Sequence, residues 1–124
     1  MMIMMVDDDW AFLEILSYLM KKKGYQICTF DDPRECLKWF SDENNKCPDL
    51  IISDFMMPYY TGSELLDKIR SGNRCRLIPA VLISSIENMQ IDNRLFSKFV
   101  RKSNILTELD SVVDQTIGGY LEIT

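Results

Sequence analysis

The chain has 124 residues, which is enough for one compact domain with a core of its own. Hydrophobic residues make up 47% of the sequence and charged residues 27%, a balance typical of globular rather than disordered proteins. The net charge of −5 argues against binding nucleic acid or an anionic membrane by bulk electrostatics. The sequence has no histidine, which excludes histidine-based catalysis, histidine-ligated zinc and any role as a phosphohistidine donor.

The four cysteines, Cys28, Cys36, Cys47 and Cys75, show no C-x-x-C spacing, so a zinc site or a redox dithiol is not expected. We expect reduced thiols in a cytoplasmic protein. Residues 1–6 are apolar but too few for a signal peptide or a membrane span, and no other run approaches the roughly 18 residues that a spanning helix needs. The sequence therefore predicts no membrane segment.

Short apolar runs alternate with amphipathic stretches, which predicts strands and helices in turn. Strands are predicted at residues 1–6, 25–30, 50–52, 78–83 and 98–101. Helices are predicted at residues 10–23, from 33 onward, 63–71, 87–97 and 104–117. Asp9 and Asp32 are expected to cap the first two helices, and Gly24 to end the first. Gly118 and Gly119 are expected to end the last helix, which leaves a domain of residues 1–117 and a tail of residues 118–124.

This alternation predicts an α/β fold with a five-stranded parallel sheet and helices on both faces. The first, third and fourth strands are wholly apolar and belong in the middle, whereas the second and fifth belong at the edges. The resulting order 2-1-3-4-5 is the doubly wound, flavodoxin-like arrangement. In this arrangement ligands bind beyond the carboxyl ends of the first and third strands, where the winding reverses.

Polar side chains follow four of the five predicted strands at that edge. The acidic run 7–9 follows the first strand and Asp54 the third, while Ser84 follows the fourth and Lys102 the fifth. Each residue alone could be a helix cap, a turn residue or a solvated surface group, but packing does not explain their convergence. Crowded carboxylates repel each other unless a cation shares the site, and an all-oxygen ligand set favours Mg²⁺. A carboxylate beside such an ion can attack phosphorus, and Lys102 and Ser84 can stabilise the transferred phosphoryl group.

The sequence resembles the receiver domains of two-component response regulators, in particular the single-domain chemotaxis-type regulators, over residues 1–117. The matching motifs are VDDD at 6–9, PDLIISDFMMP at 48–58 followed by Gly62, IPAVLISS at 78–85 and FVRK at 99–102. The resemblance implies that Asp54 is the phosphoacceptor and that Mg²⁺ is bound by Asp7, Asp8, Asp54 and the carbonyl of Met56. It also implies a switch hydroxyl at Ser84, a phosphoryl-pairing lysine at Lys102 and a switch aromatic residue at Phe99.

Two positions depart from the family pattern. Ser103 stands where the family usually has a proline after the lysine, which puts the reach of Lys102 into question. Phe99 stands where a tyrosine is common, so no hydroxyl is available there. In receivers, the side chains two positions after the acceptor and after the switch hydroxyl flank the path of the hydrolytic water. Here these are Met56 and Ile86, both apolar, which predicts a slowly hydrolysed acyl-phosphate.

The resemblance implies a bacterial, cytoplasmic protein that receives its phosphoryl group from a histidine kinase or a histidine phosphotransfer protein. Output is expected through a downstream protein that binds the face formed by the fourth helix, fifth strand and fifth helix, with homodimer formation left open. No direct contact with nucleic acid or membrane is expected, and no enzymatic activity beyond the chain's own phosphorylation and dephosphorylation.

Two alternatives stay open at this point. One is a receiver-like docking module that is never phosphorylated. The other is a phosphatase of the haloacid-dehalogenase type, whose D-x-D motif would be formed by Asp7 and Asp9. The position of an acyl-phosphate separates the three, because it would form on Asp54, nowhere, or on Asp7.

Overall fold

The computed structural model describes residues 1–72, 74–86 and 90–123. A five-stranded sheet of order β2-β1-β3-β4-β5, parallel at every pairing, forms the centre, as the sequence predicted. Its strands are β1 (Met2–Val6), β2 (Gln26–Phe30), β3 (Leu50–Asp54), β4 (Ala80–Ser84) and β5 (Lys98–Arg101). The helices are α1 (Trp10–Lys22), α2 (Pro33–Ser41), α3 (Gly62–Arg70) and α4 (Ile105–Ile123), the last preceded by a 3₁₀ turn at Lys102–Asn104.

The core lies on both faces of the sheet because the three central strands are apolar at successive positions. Along β1, Ile3 and Met5 pack with buried residues of α1 and α4 on one face. Met4 and Val6 pack with buried residues of α2 and α3 on the other face. The edge strands β2 and β5 are more exposed, which agrees with their more polar sequences. None of the helices in the described part of the chain is both long and apolar enough to cross a membrane.

The predicted helix caps are confirmed. The Asp9 side chain accepts a hydrogen bond from the Phe12 N–H, and the Asp32 side chain accepts one from the Arg34 N–H, with Pro33 in the first turn of α2. Gly24 follows α1 with φ 95°, a conformation that favours glycine. These caps fix where α1 begins after β1 and where α2 begins after β2. The cap at Asp9 is itself the last residue of the acidic run 7–9 and so fixes its position.

The prediction of a helix over residues 87–97 is wrong for its described part, residues 90–97, and residues 87–89 lie outside the described residues. Instead, the N–H groups of Leu95 and Phe96 both donate to the carbonyl of Asp92 and form a single turn. Leu95 and Phe96 are adjacent and both buried, so this single turn packs against the core through both side chains. Arg70 of α3 holds this turn by donating to the Leu95 carbonyl.

The predicted end of the last helix at Gly118 is also wrong. The helix α4 continues through both glycines to Ile123 and so crosses the boundary at residue 117. Glycine lowers helix stability by about 1 kcal/mol relative to alanine but, unlike proline, it keeps its N–H donor. Two glycines without a following proline therefore weaken a helix without ending it. The division into a domain and a tail stays a prediction.

The expectation of four reduced thiols is wrong for one pair. Cys47 and Cys75 form a disulfide with a Cα–Cα distance of 5.4 Å, whereas Cys28 and Cys36 are free. The two cysteines come just before β3 and β4, at the amino ends of those strands. Spacing along the sequence could not show this, because the pair is 28 residues apart and is brought together by the parallel pairing of β3 with β4.

Candidate functional site

Three carboxylates meet at the carboxyl end of the sheet. Asp7, Asp8 and Asp54 each offer an oxygen atom, and these atoms all lie within 4.8 Å of one another. Asp7 and Asp8 follow β1 and Asp54 ends β3, and these strands are neighbours with Val6 paired to Ser53. Asp7 is fully buried and Asp54 is 6% exposed, while Asp8 faces solvent. The predicted convergence of the acids at the point where the winding reverses is therefore found.

Asp7 and Asp54 have different surroundings within this cluster. Asp7 Oδ1 accepts a hydrogen bond of 2.8 Å from the Asp9 N–H. Asp7 Oδ2 is buried and makes no directed hydrogen bond, but Lys102 Nζ lies 2.8 Å from it as an ion pair. Asp54 Oδ1 accepts from the Phe55 N–H at 2.9 Å, and its Oδ2 is 3.8 Å from Lys102 Nζ. Each acid thus keeps one oxygen for a hydrogen bond and turns the other toward the lysine.

Lys102 reaches the site although Ser103 follows it. The Lys102–Ser103 peptide bond is trans, and Lys102 begins the 3₁₀ turn that joins β5 to α4. Its ammonium group also lies 4.5 Å from the centre of the Phe12 ring, which covers it from the α1 side. Burial works against the charged form, but Asp7, Asp54 and Asp9 outweigh it, so the pKa of Lys102 is raised. The lysine is therefore a fixed positive charge within the cluster.

The other predicted site residues are Ser84, Phe99, Met56 and Ile86. Ser84 ends β4, is buried, and its Oγ accepts a hydrogen bond of 3.1 Å from the Ile86 N–H. Phe99 is half-buried and packs against the core on the α2–α3 side of the sheet. Met56 and Ile86 are 60% and 46% exposed. The structure thus brings together the predicted acids and the lysine, and it places Ser84 at the end of β4, Met56 after β3 and Ile86 after β4.

Gly62 is a part of the site that the residue chemistry did not identify. A Cβ atom at this position would lie 2.4 Å from the backbone oxygen of Asp54, closer than any side chain allows. The Gly62 N–H donates to the carbonyl of Phe55 at 2.8 Å and closes the loop that follows β3. Gly62 also appears in the quoted motif, but only the structure shows that it lets α3 pack directly on the backbone of Asp54.

The carboxylate cluster suits a divalent cation. Burial, followed by the charge of Asp7, raises the pKa of Asp54 to about 7, with Lys102 acting in the opposite direction. Three carboxylates around one lysine leave uncompensated negative charge at the site. An all-oxygen set of this kind fits a hard ion such as Mg²⁺.

Fold and site together define a doubly wound α/β protein with an acidic pocket where the winding of its sheet reverses. The family model described as the response regulator receiver domain matches residues 3–109. The chain therefore belongs to the response regulator receiver family, as the motifs predicted.

Individual relatives support this assignment. The chain is 30% identical over 83 residues to the two-component response regulator ORR5 of Oryza sativa subsp. japonica. The matched segment covers 67% of this chain and 60% of ORR5. It is 30% identical over 87 residues to the two-component response regulator-like APRR3 of Arabidopsis thaliana, covering 70% of this chain and 17% of APRR3. Among solved structures, response regulator TrrA of Thermotoga maritima, in complex with Mg²⁺–BeF, has a TM-score of 0.78 and 27% identity, covering 93% of this chain and 97% of TrrA.

These relatives match the chain over only part of their own length. The chain spans only 17% of the length of APRR3 and 60% of ORR5, so these similarities concern a domain rather than those whole proteins. These curated relatives are plant proteins, so the expectation of a bacterial source is not supported.

A receiver domain of a histidine kinase from Pseudomonas aeruginosa, with magnesium coordinated in its active-site cleft, shares the fold at 18% identity and a TM-score of 0.79. The match covers 94% of this chain and 97% of that receiver domain.

The raised pKa of Asp54 predicts a stability change with pH in the metal-free protein. Between pH 3.8 and about 7 the folded state holds a proton that the unfolded state has lost, so stability falls as pH rises through this range. Asp54→Asn removes the titrating group and should raise the free energy of unfolding above pH 7, by up to about 4 kcal/mol. Urea unfolding in the presence of EDTA at several pH values measures this, with Asp114→Asn at an exposed position as the control. Equal pH profiles for Asp54→Asn and the parent would contradict it.

Proposed function

We propose that the chain accepts a phosphoryl group on Asp54 from the phosphohistidine of a separate histidine kinase or histidine phosphotransfer protein. The observation that carries this proposal is the meeting of Asp7, Asp8 and Asp54 with Lys102 at the carboxyl end of the sheet. Of the buried acids, Asp7 is already paired with Lys102 at 2.8 Å, whereas Asp54 Oδ2 is 3.8 Å from the same ammonium group. This leaves Asp54 as the freer nucleophile.

In the proposed transfer, a carboxylate oxygen of Asp54 attacks phosphorus, forming a P–O bond as the P–N bond to the donor imidazole breaks. The imidazole leaves and takes up a proton from water. Lys102, 3.8 Å from Asp54 Oδ2, is placed to neutralise charge on the transferred phosphoryl oxygens. When bound, Mg²⁺ would supply further positive charge there and would be held by Asp7, Asp8, Asp54 and the Met56 carbonyl. TrrA was solved with Mg²⁺–BeF, which supports the same ion for this chain.

The proposed switch starts at Ser84. Its hydroxyl oxygen now accepts from the Ile86 N–H, and a phosphoryl group on Asp54 would offer the hydroxyl a charged acceptor instead. Turning Ser84 inward would remodel the segment after β4, and half-buried Phe99 could then rotate toward the core. The output surface would comprise β5, α4 and the turn before β5, since the described part of 87–97 is not helical. A downstream protein or a second copy of the chain would bind there.

Exposed apolar side chains around the acidic cluster favour a protein as the phosphodonor. Trp10 follows β1, Met56 and Tyr59 follow β3, Ile86 follows β4, and Leu106 follows β5, and all are at least 46% exposed. Because these strands are parallel, the residues lie at the same end of the sheet as the acids. Such a surface around a charged centre suits docking of another protein.

The two alternatives fit the structure less well. As a phosphatase nucleophile, Asp7 would have to be free, but it is buried and paired with Lys102, and Asp9 is used as the cap of α1. A docking module without phosphorylation would not need three carboxylates held together.

A cytoplasmic location follows from the proposed kinase partner, while the Cys47–Cys75 disulfide is more usual in oxidising compartments.

Replacing the acceptor tests the central proposal. The parent protein, incubated with acetyl phosphate and MgCl₂, should gain the mass of one phosphoryl group, and Asp54→Asn should gain none because an amide cannot form the acyl-phosphate. Asp31→Asn, an exposed acid after β2 at the same end of the sheet, is the matched control and should label fully. Peptide mapping after borohydride reduction locates the adduct. Labelling at Asp7 would support the phosphatase, and no labelling by any donor would support the docking module.

Asp8 is expected to bind Mg²⁺ directly, and this binding can be measured as a rise in the melting temperature. Since Mg²⁺ binds only the folded site, it should raise the melting temperature of the parent protein. Asp8→Ala should remove most of this rise, at little cost to folding because Asp8 is exposed. Asp9→Ala is the control: it lowers the starting melting temperature by uncapping α1 but should keep the Mg²⁺ increment. An undiminished increment in Asp8→Ala would exclude direct ligation by Asp8.

The lifetime of the acyl-phosphate is expected to depend on Met56 and Ile86. Both side chains are exposed, so substitution should leave the fold intact, and neither can hydrogen-bond a water toward phosphorus. The double variant Met56→Asn with Ile86→Glu should lose the phosphoryl group faster, about tenfold for each 1.4 kcal/mol removed from the barrier. Mass spectrometry over time measures the decay, with Leu77→Asn as an exposed control remote from the site. Equal or slower loss in the double variant would reject shielding by these residues.

A further inference from the structure

The loop between β3 and α3, residues 55–61, contains a tyrosine in an uncommon backbone conformation. Tyr59 has φ 73°, in the left-handed region that bulky L-residues rarely adopt. Its side chain is 64% exposed, so burial in the core does not hold it there. A specific contact is needed to explain why the loop keeps this shape.

That contact is a stack on Arg34, in the first turn of α2. The guanidinium carbon of Arg34 lies 3.4 Å from the centre of the Tyr59 ring. Asp32 accepts from Arg34 Nη2 at 2.8 Å and from Nε at 3.2 Å, and it also accepts from the Arg34 backbone N–H at 2.8 Å. The paired hydrogen bonds fix the plane of the guanidinium, so the ring rests on a preorganised surface.

The same local arrangement occurs a second time without a ring. Asp92 accepts from the Arg94 backbone N–H at 2.9 Å, from its Nε at 3.1 Å and from its Nη2 at 2.8 Å. Among the described residues no aromatic ring stacks on Arg94. An Asp-x-Arg pair therefore forms by itself, and the feature particular to Arg34 is its contact with the loop after the acceptor.

The loop is thus held at two places. At its base, the Gly62 N–H donates to the Phe55 carbonyl at 2.8 Å, and near its tip the Tyr60 N–H donates to the Pro58 carbonyl at 2.9 Å. The stack on Arg34 ties the tip to the start of α2. Met56, whose carbonyl is the proposed metal ligand, lies between these fixed points.

We propose that Arg34 and Tyr59 are a positioning pair that holds the loop so that the Met56 carbonyl faces the carboxylates of the site. This inference rests on the proposed function for its consequence, since the loop shape matters because Met56 belongs to the Mg²⁺ site. The pair acts through the loop and does not take part in the chemistry at Asp54.

The first test uses the metal-free protein and hydrogen exchange. Arg34→Ala should speed exchange of the Tyr60 and Gly62 amides by roughly two- to fivefold, the range expected for losing an exposed cation–π contact. Arg94→Ala, which loses the same kind of ion pair without a ring, should leave those amides unchanged. Equal exchange of these amides in the two variants would overturn the proposal.

The second test measures Mg²⁺ affinity by calorimetric titration with MgCl₂. Arg34→Ala should weaken binding by a similar roughly two- to fivefold factor, and Arg94→Ala should not. Tyr59→Phe keeps the ring and should preserve the sensitivity to Arg34→Ala. Tyr59→Gly accepts a positive φ without strain, so in that background Arg34→Ala should have no further effect.

An Arg34→Ala effect that is equally large with and without the Tyr59 ring would overturn the pairing. Failure of the proposed phosphoryl transfer is recognised separately, because it would appear as an unlabelled Asp54 in the parent protein. Exchange and Mg²⁺ affinity report the positioning role in either case.

Discussion

The balance of charge at the carboxyl end of the sheet constrains the rest of the structure. Three carboxylates and one lysine, if all ionised, leave two negative charges, which is the charge that one divalent cation would neutralise. Without that ion the cost is relieved in part by protonation, which is why burial beside Asp7 raises the pKa of Asp54 to about 7. Ionisation of Asp54 beside Asp7 is thus unfavourable in the metal-free protein, and a bound cation would favour it.

The fold brings Lys102 to this cluster from the far edge of the sheet. β5 is two strands away from β3, yet its last residues and the 3₁₀ turn carry the ammonium group back to Asp7. The turn does so through a trans peptide bond before Ser103, so the usual proline is not required for the lysine to reach the acids. The Phe12 ring closes the other side and limits where the ammonium group can move.

The parts that could be predicted from the sequence were those that depend on local pattern and strand order. Runs of apolar residues identified the central strands, and the parallel arrangement then required that the residues after them meet at one end. This was enough to bring Asp54 and Lys102 into the same site. The helix caps at Asp9 and Asp32 were predictable for a similar reason, because each cap is a contact between near neighbours in the chain.

Three of the features that were missed depend on contacts between distant segments. The Cys47–Cys75 bridge joins residues that only the pairing of β3 with β4 makes neighbours. In the region of residues 90–97, periodicity favoured a helix, but the buried pair Leu95 and Phe96 and the hydrogen bond from Arg70 stabilise a turn. The Arg34–Tyr59 stack was likewise not predictable, because no local pattern links the first turn of α2 to the loop after β3.

These distant contacts also differ in kind between the two ends of the sheet. At the amino end, Arg74 donates to the carbonyls of Phe40, Asp42 and Asn45, next to the disulfide, and these links hold the loops before β3 and β4 together. At the carboxyl end, the loop after β3 is held by backbone hydrogen bonds at its base and by the stack of Tyr59 on Arg34, next to the charges of the acidic cluster. A change of charge at Asp54 is therefore expected to move the loops at the carboxyl end, while the linked amino end stays in place and supports them.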